Sequence, residues 1–169
     1  MNAAAQMLKN FNLYVDGRGY AGNVDEVQLP SLNIVEEDFR AGGMDAPIAV
    51  DMGMEKLEAT FKVSKFDKNL ITKWGVSVGG QVPLVLRGAL ESLDGTVQAV
   101  VVKLQGRIHS LEMDTVTPGS KAGMTFKLAA YAYSYTQDGE TLIDIDVRNM
   151  KRTINGVDRL AAQRKAIGL

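Results

Sequence analysis

Through most of this chain the apolar residues recur at every second position, and that period commits a backbone to strands whose alternate side chains lie on opposite faces. Leu57, Ala59, Phe61 and Val63 alternate with Glu58, Thr60, Lys62 and Ser64, the pattern of a half-buried strand. The stretch from Pro83 to Ile108 reads as one long hairpin turning at Leu93-Asp-Gly-Thr96, where Asp-Gly supplies the positive φ angles of a tight turn. A second hairpin runs from Met124 to Val147 and turns at Gln137-Asp-Gly-Glu140, and a shorter one is centred on Asp16-Gly17. Each long strand has about eleven residues, or ~36 Å at 3.3 Å per residue, against five or six for a usual strand. Such strands span a domain of this size from end to end.

Two short helices interrupt the β pattern. Asp67 is placed to cap a segment presenting Leu70, Ile71 and Trp74 on one side and ended by Gly75. A second helix is predicted to begin near Asn155-Gly156 and to bury Val157, Leu160, Ala161 and Ile167 along one stripe. Gly168 sits where a left-handed cap belongs, with Leu169 folding back onto the last turn. Arg164 falls inside the stripe, so it must snorkel or meet a carboxylate. The fold class expected is mainly β: a β-sandwich or open barrel of long antiparallel hairpins, with one short internal helix and one C-terminal helix.

The 169 residues carry no internal repeat or Pro/Ser linker and are most simply one domain. A net charge of −1 gives no long-range pull toward nucleic acid. The absence of cysteine removes disulfide frameworks, zinc-thiolate sites and thiol catalysis together. Met1 to Lys9 has one cation and no apolar core long enough for a signal peptide. No apolar run approaches the ~20 residues of a membrane helix, so no membrane partner is expected.

Candidate chemistry is sparse. Gly17-Arg-Gly-Tyr-Ala-Gly22 matches the dinucleotide fingerprint by letter and comes after the apolar strand Phe11–Val15. The fingerprint needs a helix next to hold a pyrophosphate. The segment from Asn23 to Pro30 is too short and lacks a helical apolar face, so a Gly-rich turn is the better reading. His109 is the only histidine; Ser110 and Ser134 lack a nucleophile elbow around them. Asp144 and Asp146 point the same way on a strand but offer too few oxygens for a metal cage, and a solvated face crossed by neighbouring cations explains them. Glu36-Glu37-Asp38 reads as a solvated acidic turn. No catalytic residue, cofactor or metal site is expected.

The stretch from Phe39 to Glu55 stands apart. It is too rich in Gly and Met for an ordinary strand and too apolar for a free linker, so it reads as a long loop whose apolar groups need a surface to land on. Met44, Met52 and Met54 either fill gaps beneath their own loop or form an adaptable contact with another subunit. Together with Asp16-Gly-Arg-Gly-Tyr-Ala-Gly22, Ile154-Asn-Gly-Val-Asp-Arg-Leu160 and Arg164-Lys-Ala-Ile-Gly-Leu169, this stretch resembles the major tail tube protein of contractile-tailed bacteriophages. R-type pyocin tubes are similar. The resemblance covers nearly the whole chain and is weakest from about Lys65 to Gln81.

The resemblance implies a structural protein whose hexameric rings stack into the inner tube of a contractile tail, with sheath, baseplate and terminator partners. It also implies DNA passing through the lumen without specific binding. The protein would reside in the virion tail tube, and in the host cytoplasm during assembly. A single tail-tube domain over 1–169 would carry an inter-subunit loop at about 38–56. The interface candidates are then Arg40, Gly42, Gly43, Met44, Asp45, Met52, Met54 and Arg164. Alternatives are the tube of a pyocin-like particle or of type VI secretion, and, more distantly, a monomeric β-barrel for a small ligand. A conduit must not grip phosphates, so cations on any lumen-facing strand are expected to lie beside carboxylates; periodicity leaves open which hairpin face looks inward, and a lumen lined by unpaired Arg87, Lys103 and Arg107 would contradict the conduit.

Overall fold

The computed structural model describes residues 5–169. The chain order is β1 (Gln6–Val15), β2 (Arg18–Gly19), β3 (Val24–Gln28), β4 (Ile34–Phe39), β5 (Ile48–Met54), β6 (Leu57–Val63), α1 (Lys68–Ile71), β7 (Val82–Ser92), β8 (Val97–Met113), β9 (Met124–Gln137), β10 (Glu140–Asp146), β11 (Lys151–Ile154), β12 (Val157–Asp158) and α2 (Ala161–Ala166). Ten strands form one antiparallel sheet in the order β12-β11-β10-β9-β8-β7-β1-β2, with β6 and β3 attached through β9. Strand β9 makes this branch possible. Its first half, Met124 to Ala130, pairs with β6, and its second half, Ala132 to Gln137, pairs with β10. The sheet does not close: β12 and β2 end the path among the described residues.

The predicted hairpins form at the predicted turns, and the turns differ in chemistry. Asp16-Gly17 and Asp138-Gly139 hold both residues at positive φ, +50 and +76°, then +51 and +83°, the tight two-residue type. At Leu93–Thr96 only Gly95 is left-handed; the Asp94 carboxylate instead accepts the Thr96 N–H at 3.0 Å. Strand β8 reaches 17 residues, longer than the eleven expected.

One face of the sheet carries the core. Leu57, Ala59, Phe61 and Val63 are all at most 2% exposed, as their alternation requires. Leu84, Leu86, Val100, Val102, Leu104 and Ile108 are buried beside Leu13, Phe126 and Leu128, while Leu90 packs at the edge. Phe61 and Phe126 stack at 5.1 Å between ring centroids. Gly106 marks the closest backbone approach, since a Cβ there would lie 2.2 Å from the Ala129 carbonyl oxygen. Helix α1 is capped by Asp67, whose carboxylate accepts the Asn69 N–H at 2.7 Å, and it drives Leu70 into the core. Trp74 stays half exposed and donates its indole N–H to the His109 carbonyl at 3.2 Å.

Several expectations need correction. The stretch from Phe39 to Glu55 is not a loop: β4 and β5 pair as a separate antiparallel hairpin, and only residues 40–47 at its tip are irregular. Backbone pairing within the hairpin satisfies the polar groups that a loop would leave to water. Glu36-Glu37-Asp38 therefore lies inside a strand, not in a turn. The C-terminal helix starts later than predicted, because Asn155 (φ +49°) and Gly156 (φ +76°) make a β11–β12 hairpin turn that no helix tolerates. The remaining six-residue helix buries none of its residues; Val157 and Ile167 are 53% and 63% exposed, and Leu160 is half-buried.

Candidate functional site: an apolar arm and its anchorage

Among the described residues the β4–β5 hairpin is an arm with no sheet partner besides itself. Its register puts Phe39 opposite Ile48 and Glu37 opposite Val50 on one face, with Asp38 opposite Ala49 and Glu36 opposite Asp51 on the other. Ile34, Val35, Phe39, Ile48, Val50 and Met52 are each between 42% and 58% exposed. Large contiguous apolar patches are uncommon on the surface of monomeric proteins. The arm is also acidic, with Glu36, Glu37, Asp38, Asp45 and Asp51 against one cation, Arg40.

The tip is a turn closed on itself. Met44 donates its N–H to the Ala41 carbonyl at 3.2 Å, Arg40 reaches the Met44 carbonyl at 3.3 Å, and the Met44 sulfur accepts the Ala41 N–H. Of the two tip glycines only Gly43 is left-handed, at φ +86°; Gly42 is not. Of the candidates, Met44 is half-buried beneath its own turn, while Met52 is exposed and Met54 packs at the foot of the arm against the core. Asp45 is exposed at the tip. The structure thus gathers Arg40, Gly42, Gly43, Met44 and Asp45 at one end of the arm and Met52 and Met54 near its base.

Between the arm and the body lies a groove of about 650 Å³ bordered by Met52, Met54, Ile145, Val147, Met150 and Leu160. One ion pair crosses it. Arg152 on β11 donates to the Asp51 carboxylate at 2.6 Å, and the Arg152 side chain is only 14% exposed. The guanidinium and the Gly53 N–H hold the Asp51 carboxyl below its ordinary pKa. Periodicity gives no sign of this anchor: Arg152 lies opposite Ile145 on the apolar face of its strand, where a cation is out of pattern.

Arg164 is not gathered with the tip candidates. It donates to the Asp158 carboxylate at 2.8 Å and to the Met150 carbonyl at 2.9 Å, fastening α2 to the sheet edge. Gly168 at φ +83° and the Leu169 N–H bond to the Arg164 carbonyl at 3.0 Å close the helix in a Schellman turn. Arg164 first, and the Leu160 N–H second, lower the Asp158 pKa. A carboxyl depressed on folding stabilises above its unfolded value, about 3.9, and loses that contribution as pH falls through the folded value. The Asp158 carboxyl resonance is therefore expected to titrate below ~3.9 and to move back up in Arg164→Ala; an unchanged midpoint would break the assignment.

The other polar candidates hold ordinary structural positions. Gly17 to Gly22 runs through the β1–β2 hairpin into another turn and β3, with no helix to receive a phosphate. His109 Nε2 stands 3.3 Å from the Glu58 carboxylate. Asp144 pairs with Lys151 at 2.7 Å, and Asp146 caps the turn at Asn149. Among the described residues, no group of three or more His, Asp or Glu side chains could hold a metal ion.

The sheet face opposite the core mixes small residues such as Ala129, Ala132, Ser134 and Thr136 with the cations Lys103, Arg107 and Lys127. Lys62 and Lys127 reach Asp114 and Glu112 at 3.1 and 3.8 Å. Arg87, Lys103 and Arg107, by contrast, form no ion pair within the chain among the described residues. Their cross-strand neighbours are uncharged: Asn12 and Val101 beside Arg87, Val85 and Ser134 beside Lys103, and Ala129 beside Arg107.

A filled core, open sheet edges and a protruding apolar arm are the marks of a structural protein. The comparisons give the class its family. The family model for phage tail tube protein FII matches residues 5–168, and the chain belongs to that family. It is 30% identical to the tail tube protein of Escherichia phage P2, over 99% of both chains. It is also 30% identical to the major tail tube protein of Serratia phage KSP20, over 87% of this chain and 86% of that one. Among solved structures, the sheath/tube terminator of an extracellular contractile injection system matches with a TM-score of 0.59 at 10% identity, over 76% of this chain and 94% of that one. The sheath-tube complex of the same system matches at 0.56 and 13%, covering 75% and 87%. These likenesses extend the fold beyond phages.

Proposed function

We propose that this protein forms hexameric rings that stack into the inner tube of a contractile phage tail, with the arm as the contact between subunits. The observation that carries this reading is the arm: a hairpin that leaves apolar side chains in water is stabilised once a second copy covers it. Open edges at β12 and β2 support it as well, because unpaired edges invite pairing with another chain and ring closure removes them. The single domain with its arm would surround itself with sheath, baseplate and terminator proteins. It would be made in host cytoplasm and end in the virion tail, with DNA passing through the bore.

The curated relatives favour a phage tail over a pyocin-like particle. A ligand barrel is disfavoured because the sheet stays open and its inner face is filled by Phe61, Phe126 and the surrounding aliphatics. Electron microscopy of the purified protein at high concentration is the test. Tubes of stacked rings with the arm at a subunit contact are expected, and a strictly monomeric protein would overturn the proposal. The same reconstruction examines the conduit: carboxylates of neighbouring copies should stand beside Arg87, Lys103 and Arg107 wherever those residues face the bore. Three uncompensated cations per subunit lining it would contradict free passage of DNA.

A further inference from the structure

We infer that the Asp51–Arg152 ion pair is a strut that fixes the angle of the arm before a second copy binds, an inference that rests on the arm being a subunit contact. Four observations converge on it. At its foot the arm closes on itself, Asn33 donating to the Glu55 carboxylate at 3.0 Å and the Glu55 N–H to the Asn33 carbonyl, and Met54 packs against the core. Beyond the foot, hollows of about 650 and 360 Å³ lie on either side of the ion pair, so little apolar packing holds the arm in place.

The backbone is shaped to aim the carboxylate. A register irregularity between Ile34 and Glu36 and a left-handed Gly53 (φ +110°) bend β5 at this point, and the Gly53 N–H bonds the second Asp51 oxygen at 2.8 Å. Asp51 also lies directly opposite Glu36, a like-charge pair that destabilises a hairpin unless a cation intervenes. Arg152 supplies that cation from a strand face otherwise occupied by Ile143, Ile145 and Ile154.

A latch that hid the sticky surface would restrain assembly. This contact hides none of it: Phe39, Ile48, Val50 and Met52 remain exposed while the pair is closed. The pair therefore presents the surface. Fixing the arm beforehand removes part of the ordering cost that each binding event would otherwise meet.

The chain has no cysteine, which permits clean spin labelling at two introduced sites, Gly42→Cys at the tip and Glu140→Cys on the body. In the monomer, the distance distribution between these labels is expected to be narrow and to broaden in Arg152→Ala and in Asp51→Asn. The asparagine keeps an oxygen for the Gly53 N–H, so the local bend survives while the charge is lost. Both variants are expected to remain folded at the temperature of the measurement and to need about fivefold more protein to grow tubes, and Arg152→Lys should recover part of the difference. Equal distributions, or tube growth at the parent concentration, would overturn the strut. If the parent itself forms no tubes, the subunit-contact reading fails instead, which separates the two.

Discussion

Preparations of the Met44→Asp, Met52→Asp double variant are expected to contain folded monomer and no tubes. Met52 is 58% exposed on the arm and makes no contribution to the core, so its loss leaves the sheet intact. In an assembled contact the new carboxylate would be buried without a partner, on an arm already carrying five acids. Breaking a buried contact with an unpaired charge costs about 3–5 kcal/mol, and a tube repeats that cost at every subunit. Because Met44 also closes the turn at the tip, Met52→Asp alone is the control that separates charge from local shape. Circular dichroism and microscopy on the same samples check the result. Normal tubes from the double variant would remove the arm from the contact.

The second large effect is on folding. Phe126→Ala should destabilise the monomer by about 3–5 kcal/mol, measured by urea denaturation. Phe126 is fully buried at the centre of the β6–β9 pairing and stacks on Phe61 across it, so its removal leaves a cavity and an unpartnered ring. Strand β9 holds both branches of the sheet, and surrounding strands cannot close the gap without losing register on one of them. By the same reasoning Leu160→Ala falls well short of a core substitution, because Leu160 is only half-buried beside the groove. A loss under about 1.5 kcal/mol at Phe126 would mean the sheet collapses onto the site more easily than close packing permits.

The hairpins are legible in the sequence because alternation and Asp-Gly turns are local signals, complete within a dozen residues. Asp67 is legible for the same reason, as a cap needs only the residues immediately beyond it. The arm reads falsely as a loop because its glycines, Pro47 and its aspartates lower strand propensity, while β4 and β5 pair only with each other among the described residues. Their pairing compensates for composition, and propensity does not register a partner. Asn155-Gly156 offers the same turn signal that succeeds at Asp16-Gly17. There the helical spacing of Val157, Leu160 and Ile167 competes with it, and the structure leaves those residues largely outside the core. Arg152 and its link to Asp51 join positions 101 apart in sequence, and no periodicity carries such a pairing.

The arm leaves the body from one end of a hairpin. Strands β3 and β6 are antiparallel partners, with Gln28 opposite Thr60, so residues 29–56 form an excursion between two strands already held together. In topological terms the arm is an insertion, and the entropy of closing a loop grows only slowly with its length. A change in its length therefore costs the sheet little. On the role proposed for the arm, this joint lets the grip between subunits change without altering how each one folds.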